Sequence, residues 1–171
     1  MATLQLARTI SQLRKEQPAI TLILARNKNQ NLVVYEAVRN EQKTVLQGLK
    51  AYWLDLEPEL QAQHRAQGHK DYKADFAVWD HYAYGFTYVP VTALTGTLTL
   101  KQAPQFPLQI QVAPSGMKTY YTEGGTTLEV SHVYVQAQEG LTPLTTKVQF
   151  LELQGINVQT KQPQSLRHTF F

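Results

Sequence analysis

The sequence predicts a mainly β protein: a single domain built on a curved antiparallel sheet or β-barrel, or on a β-sandwich, with a short helical insertion. Three observations predict it. From Gly85 onward, apolar and polar residues alternate in short runs broken by Gly and Pro, as in "PLQIQVA" and "GTLTLK". Alternation buries one face of a strand and wets the other, the habit of antiparallel sheets. Charged residues make up only 17% of the 171, and Thr and Gln stand in their place; Thr favours strands, so this surface suits a sheet better than a helical bundle. In "KVQFLELQGINV" the apolar phase slips from Val148 and Phe150 to Leu151 and Leu153, and Gly155 follows. Slips and glycines inside a long strand mark bulges and bends, which curl sheets.

Taken in order, Leu4, Leu6, Ile10 and Leu13 are spaced for a short helix that stops before Pro18. "AITLILA" and "NLVVYEAV" are strands, joined by a hairpin connection over Asn27 to Gln30 with Asn31 following. "GLKAYWLDLEP" is a third strand ending near Asp55. Pro58 suits the first turn of a helix, "PELQAQHRAQ", that stops at Gly68. A second helix is expected from about Asp71 to Tyr84, on the steps of three and four among Phe76, Trp79, Tyr82 and Ala83, with Gly85 just past its end. The rest is strand: "FTYVPV", "GTLTLK", "PLQIQVA", "MKTYYTE", "TLEVSHVYVQAQ", "TKVQFLELQGINV" and "LRHTFF", with a turn at "EGG". The expectation is one β-rich domain over 1–171, of roughly eight to ten strands in a lipocalin-like barrel or a sandwich, with a helical insertion at about 55–84.

Composition narrows the function. A 43% hydrophobic chain of this length has a core for one domain. The net charge of +3 is spread without any Lys/Arg run, so nucleic acid is not an expected partner. The absence of Cys excludes disulfides and thiolate metal sites. No apolar run reaches the roughly 18 residues of a membrane helix. Charges at Arg8, Arg14, Lys15 and Glu16 break any signal-peptide core, which places the chain as written in the cytoplasm, or in the periplasm if a leader has been removed. No P-loop, G-x-S-x-G, G-x-G-x-x-G or H-E-x-x-H motif is present, and no cofactor is expected. The oligomeric state stays open.

Four stretches, "ARNKNQNLVVYE", "AYWLDLEP", "AYGF" and "FLELQGINV", resemble the pattern of an uncharacterised bacterial domain-of-unknown-function family (RNKNxNxVVY … AYG … LxGI) over about Ile20 to Gln164. The resemblance implies a β-rich domain, often exported from the cytoplasm, and brings no known activity.

The candidate ligand-binding residues are Arg26, Lys28, Tyr35, Trp53, Tyr84, His132 and Tyr134. Arg26 shares the strand phase of Leu22 and Leu24, so it points inward at a rim, where a guanidinium can hold a carboxylate or phosphate; a solvated turn bonded to carbonyls, Asp55 or Asp80 is the plainer alternative. Lys28 follows in the same turn. Tyr35, Tyr52, Trp53, Trp79, Tyr82, Tyr84, Phe86 and Tyr88 offer apolar bodies, several with polar tips, suited to a mixed-polarity pocket, while Trp53 and Trp79 equally suit pins between sheet and helix. His132 shares phase with Leu128, Val130 and Tyr134; if that phase faces in, His132 is buried and needs a partner, and if the strand bends so that Val133 and Val135 face in, it is wet. His64, His69 and His81 lie near Asp71, Asp75 and Asp80 without metalloprotease spacing; they read as solvated helix residues, and no metal site is assigned. The leading functional expectation is a binding protein for a small hydrophobic or amphipathic ligand, anionic ones included, in a barrel-like cavity. The alternatives are an enzyme of unrecorded type using His132 with Tyr or Glu, and a protein-interaction module.

Overall fold

The structure, a computed structural model, describes residues 2–27, 31–54, 66, 73–138 and 147–170. Among the described residues it is mostly strand: eleven strands in one sheet, with two short helices, α1 (Ala2–Glu16) and α2 (Val78–Tyr84). The strands are β1 (Ile20–Arg26), β2 (Leu32–Arg39), β3 (Leu46–Leu54), β4 (Lys73–Ala74), β5 (Phe86–Thr92), β6 (Thr95–Leu100), β7 (Leu108–Ala113), β8 (Gly116–Glu123), β9 (Thr126–Gln138), β10 (Lys147–Asn157) and β11 (Pro163–Thr169).

Nine of them run in the order β4-β3-β2-β1-β9-β8-β7-β6-β5, and the path curls into a half-barrel. β10 lies against β9, and β11 against β10. The ends of the path approach each other where the Leu46 N–H donates to the Ala93 carbonyl at 2.7 Å. The turns obey local chemistry: β8 and β9 are joined by Gly124 and Gly125, both at positive φ (57° and 81°), as a two-residue type I′ hairpin demands.

The expected antiparallel meander is interrupted once. β1 pairs with β9 in parallel, Leu24 beside Val133 and Arg26 beside Val135. Thus β9 serves three neighbours: β10 along one side, β8 at its N-terminal half and β1 at its C-terminal half. The change of neighbour falls at Ser131. Gln154 faces His132 and the next residue, Gly155, faces Val130, so Ser131 is the extra residue of a bulge. The β10 slip read from the sequence is a second bulge, with Gln149 extra between Val148 and Phe150. Gly155 is required for a reason the sequence did not show. A Cβ there would collide with the Glu129 carbonyl oxygen and lie 3.0 Å from Val130 Cα.

Two cores result. The inner face of the curl is filled by Leu22, Leu24, Val33, Tyr35, Leu98, Leu108, Ile110, Leu128, Val130, Val133, Leu151 and Leu153. On the outer face, Ile10 of α1 packs on Ile20, Ile23, Ala25, Leu32, Val34, Tyr52 and Leu54, flanked by Leu6, Leu13 and Tyr134. β1 is therefore covered on both sides, and its first six residues are all buried, which is why "ITLILA" is apolar without alternation.

The second helix is shorter than expected. Residues 73–74 form β4 against β3 rather than helix, and α2 begins only at Val78. There the Asp80 carboxylate accepts the Ala77 N–H at 2.8 Å, fixing the helix start seven residues later than the apolar spacing suggests. The expected helix "PELQAQHRAQ" falls outside the described residues except Ala66, as do Lys28, His64, His69, Asp71 and the side chain of Trp79. Among the described residues no helix is long and apolar enough to cross a membrane, and no group of three or more His, Asp or Glu is placed to hold a metal ion.

Candidate functional site

The expected site residues fall in two places. Arg26, Tyr35, Trp53 and Tyr84 come together on the inner face. The strand phase of β1 delivers Arg26 inward beyond Leu22 and Leu24, as read from the sequence. Its guanidinium lies 4.5 Å from the centre of the Trp53 ring and 5.7 Å from that of Tyr84, and one N–H donates to the Tyr84 hydroxyl at 3.1 Å. Trp53 and Tyr84 meet edge to face at 5.3 Å, and Phe76 packs on both. Tyr35 is fully buried and donates its hydroxyl to the Tyr84 backbone carbonyl at 2.8 Å. Burial, and secondarily the nearby Tyr84 hydroxyl, push the Tyr35 phenol well above its usual range. Phe86 and Tyr88 border the same core, whereas Tyr52 belongs to the outer core and Tyr82 is half exposed. The residue after Arg26 does more than turn the chain. The Asn27 side-chain amide exchanges hydrogen bonds with Ala137, accepting from its N–H at 3.0 Å and donating to its carbonyl at 3.2 Å, so it extends the β1–β9 ladder with a side chain.

His132 and Tyr134 lie on the other face. The Ser131 bulge turns Val133 and Val135 inward after Leu128 and Val130, so the shared phase proposed for Leu128, Val130, His132 and Tyr134 does not hold. Neither alternative drawn for His132 holds fully, because α1 covers this part of the outer face and His132 is half-buried without entering the inner core. Between α1 and strands β8 and β9 lies a cleft of about 550 Å³, lined by Ala7, Ile10, Arg14, Lys15, Met117, Lys118, Glu129, Ser131, His132 and Ile156, among others. Tyr134 sits farther along β9, its hydroxyl donating to the Gln136 side chain at 2.8 Å.

Arg14 organises this cleft. Its Nε and Nη2 donate to the Ser131 carbonyl at 3.0 and 2.8 Å, Nη2 also to Thr21 at 3.0 Å, and Nη1 to Ile20 at 3.4 Å. Thr21 is itself the extra residue of a bulge in β1, where Ile20 faces Glu36 and Leu22 faces Tyr35. One guanidinium therefore serves the carbonyls of bulges on two neighbouring strands, whose ladders are broken there. The buried Thr119 hydroxyl joins it, donating to the Thr21 carbonyl at 2.6 Å. Desolvation lowers the Arg14 pKa to about 10, against an opposing contribution from Glu129; the side chain remains a cation at neutral pH.

The tautomer of His132 follows from counting protons. The single Ser131 hydroxyl proton goes to the Gln154 carbonyl at 3.0 Å. The 2.9 Å contact between Ser131 Oγ and His132 Nδ1 must then be donated by the ring. In the neutral imidazole, Nε2 is left as an acceptor. Burial, then the charge of Arg14, lower its pKa to about 4, so the ring is neutral at pH 7. This geometry does not build a Ser–His nucleophile: the hydroxyl proton points away from the ring, and a base of such low pKa is poorly matched to neutral pH.

Arg14 and Ser131 were not among the candidate site residues read from sequence, and Asn27 was read there only as part of the Arg26 turn. For Arg14 a signal existed: it lies four residues after Ile10, on the apolar stripe of α1, where a cation is out of place. Residues 22–167 match the model of a family described as a domain of unknown function, DUF4833. No curated protein and no solved structure gives a significant match. The matched range begins inside β1, so the sheet wall of the cleft lies within it and α1 lies before it.

Proposed function

Because the chain belongs to this domain-of-unknown-function family, whose description carries no activity, we propose from its geometry that it is a binding protein for a small amphipathic molecule. The observation that carries the reading is the cleft beneath α1. Its volume suits a small ligand. Its walls combine apolar surface from Ile10, Ile20, Met117 and Ile156 with polar groups from Arg14, Lys15, Ser131 and His132. Ile156, 44% exposed, is an apolar residue left uncovered beside it. The inner face of the curl, in contrast, is occupied by the side chains of its own core, so the ligand is assigned to the cleft rather than to a barrel lumen.

The test is native mass spectrometry of the protein incubated with a mixture of medium-chain carboxylic acids and alcohols. One-to-one adducts are expected for the parent and not for Ala7→Trp, which fills the cleft from an exposed position on α1. Absence of adducts with the parent, or equal adducts with the filled variant, overturns the reading.

A further inference from the structure

Three cations and one carboxylate line the cleft: Arg14, Lys15 and Lys118 against Glu129. Lys118 and Glu129 are paired at 3.1 Å, one cancelling the other. Arg14 spends its hydrogen bonds on backbone carbonyls, which carry no net charge, and among the described residues Lys15 makes no ion pair. His132 contributes no charge, since its Nδ1 proton is engaged by Ser131 and its Nε2 is an acceptor. Among the described residues, three cations against one carboxylate leave the cleft with an excess of two positive charges, Glu129 being shared between Lys118 and Arg14. One of them is largely desolvated, where an opposite charge nearby is felt more strongly than at an open surface. The apolar residues Ile10, Ile20, Met117 and Ile156 supply the remaining wall.

We propose that the cleft selects an amphipathic anion, its charged end on the Arg14 and Lys15 side and its apolar part along Ile10, Met117 and Ile156. The proposal rests on the binding reading above and adds to it the sign of the ligand. Carboxylates and phosphate monoesters share this chemistry: an anionic head on a short apolar tail. The roles of the two cations differ. Arg14 is fixed, its fork committed to the bulge carbonyls, so it acts as a stationary charge. Lys15 is exposed at the end of α1, and its ammonium is the group that can reach a ligand head directly.

Met117 gives a local readout. The chain has two methionines, Met1 and Met117, so methyl-¹³C methionine labelling yields two signals, one of them from the cleft wall. The protein is titrated with octanoate, octyl phosphate and 1-octanol, which share a tail and differ in the head. Both anions should shift the Met117 methyl signal at concentrations about tenfold below those needed with octanol, the size of effect expected from a partly desolvated charge pair. Lys15→Glu should abolish this advantage and Lys15→Gln should reduce it, with the octanol titration unchanged in both. These substitutions fall on an exposed helix residue, so folding is preserved, and circular dichroism verifies it. If octanol matches octanoate, or if Lys15→Glu binds octanoate as the parent does, the anion assignment is overturned while binding in the cleft stands. If none of the three moves the Met117 signal, the binding reading falls and the anion assignment falls with it. A preference between octanoate and octyl phosphate, in either direction, supports the anion assignment and tells which head is favoured.

Discussion

Arg14 and Ser131 are 117 positions apart in the chain, yet two N–H groups of the Arg14 guanidinium converge on the Ser131 carbonyl oxygen. The contact ties α1 to the place where β9 changes neighbours. Arg14→Met keeps most of the aliphatic stem and removes every donor. It leaves the Ser131, Thr21 and Ile20 carbonyls without the guanidinium, so urea unfolding should show a loss of about 3 kcal/mol. Arg14→Lys retains the charge but lacks the planar fork that reaches two strands, and should recover less than half of that loss. Full recovery by Lys would show that charge, rather than the fork, is what the bulges require.

His132 makes stability depend on acid. Its folded pKa is about 4 against an ordinary value of 6.5, so between these values the unfolded chain binds more protons than the folded one. Its contribution is therefore fully present above pH 6.5 and is lost as pH falls toward 4. The parent should lose about 2 kcal/mol more than His132→Gln on going from pH 7.5 to pH 5. The comparison with the Gln variant cancels the titration of carboxylates elsewhere. Parallel losses in the two proteins would show that His132 is not buried in its neutral form.

Gly155→Ala sets a methyl group against the Glu129 carbonyl across the β9–β10 ladder. Backbone atoms on both sides are held by pairing and cannot step aside cheaply. The expected cost is about 2–3 kcal/mol by thermal or urea unfolding. Gly48→Ala is the control, because a Cβ there meets nothing; its effect should be under about 1 kcal/mol. Equal effects at the two sites would remove the close approach as the reason for glycine at 155.

Arg26, Trp53 and Tyr84 should behave as one packed unit. Arg26→Ala removes the stacked cation and the bond to the Tyr84 hydroxyl, at about 1–2 kcal/mol. Combined with Tyr84→Phe it should be less than additive, by about 0.5–1 kcal/mol, since both remove the same bond. Binding of octanoate should be unchanged in Arg26→Ala. A weakened titration would move the ligand from the cleft to this aromatic rim.

The sheet was legible wherever one face of a strand is dry and the other wet. Leu108, Ile110 and the Gln residues between them declare β7 without ambiguity, and the Gly pair after Glu123 declares its turn. Arg26 was placed inward by two neighbours of the same phase, and the Trp53 and Tyr84 rings are there to meet it. What stayed hidden was long-range. Ser131 is an ordinary residue in an ordinary strand, and only the backbones of β10 and β1 show that it is extra. That one position decides between the two phases drawn for His132, and the phase with Val133 and Val135 facing inward is the one that holds. The covering of β1 by α1 was half visible, in an unbroken apolar run that a one-sided strand would not need. The late start of α2 was invisible to spacing because a single carboxylate, Asp80, selects the first turn, and the apolar steps before it run equally well along extended chain.

The parallel pairing of β1 with β9 also has a bearing on how quickly the chain can find its fold. Every other pairing along the curled path joins strands that follow one another in the chain. β1 through β4 can zip as one meander, and β5 through β9 as another, each by pairing strands that are neighbours in the chain. The β1–β9 ladder alone brings together residues about a hundred positions apart, Leu24 with Val133. Long-range closure is slow because chain entropy is lost before contacts form. The two meanders are therefore expected to assemble first and dock late, with docking as the slow step. Arg14, which bridges that seam, belongs to the docked state: its removal should speed unfolding far more than it slows folding.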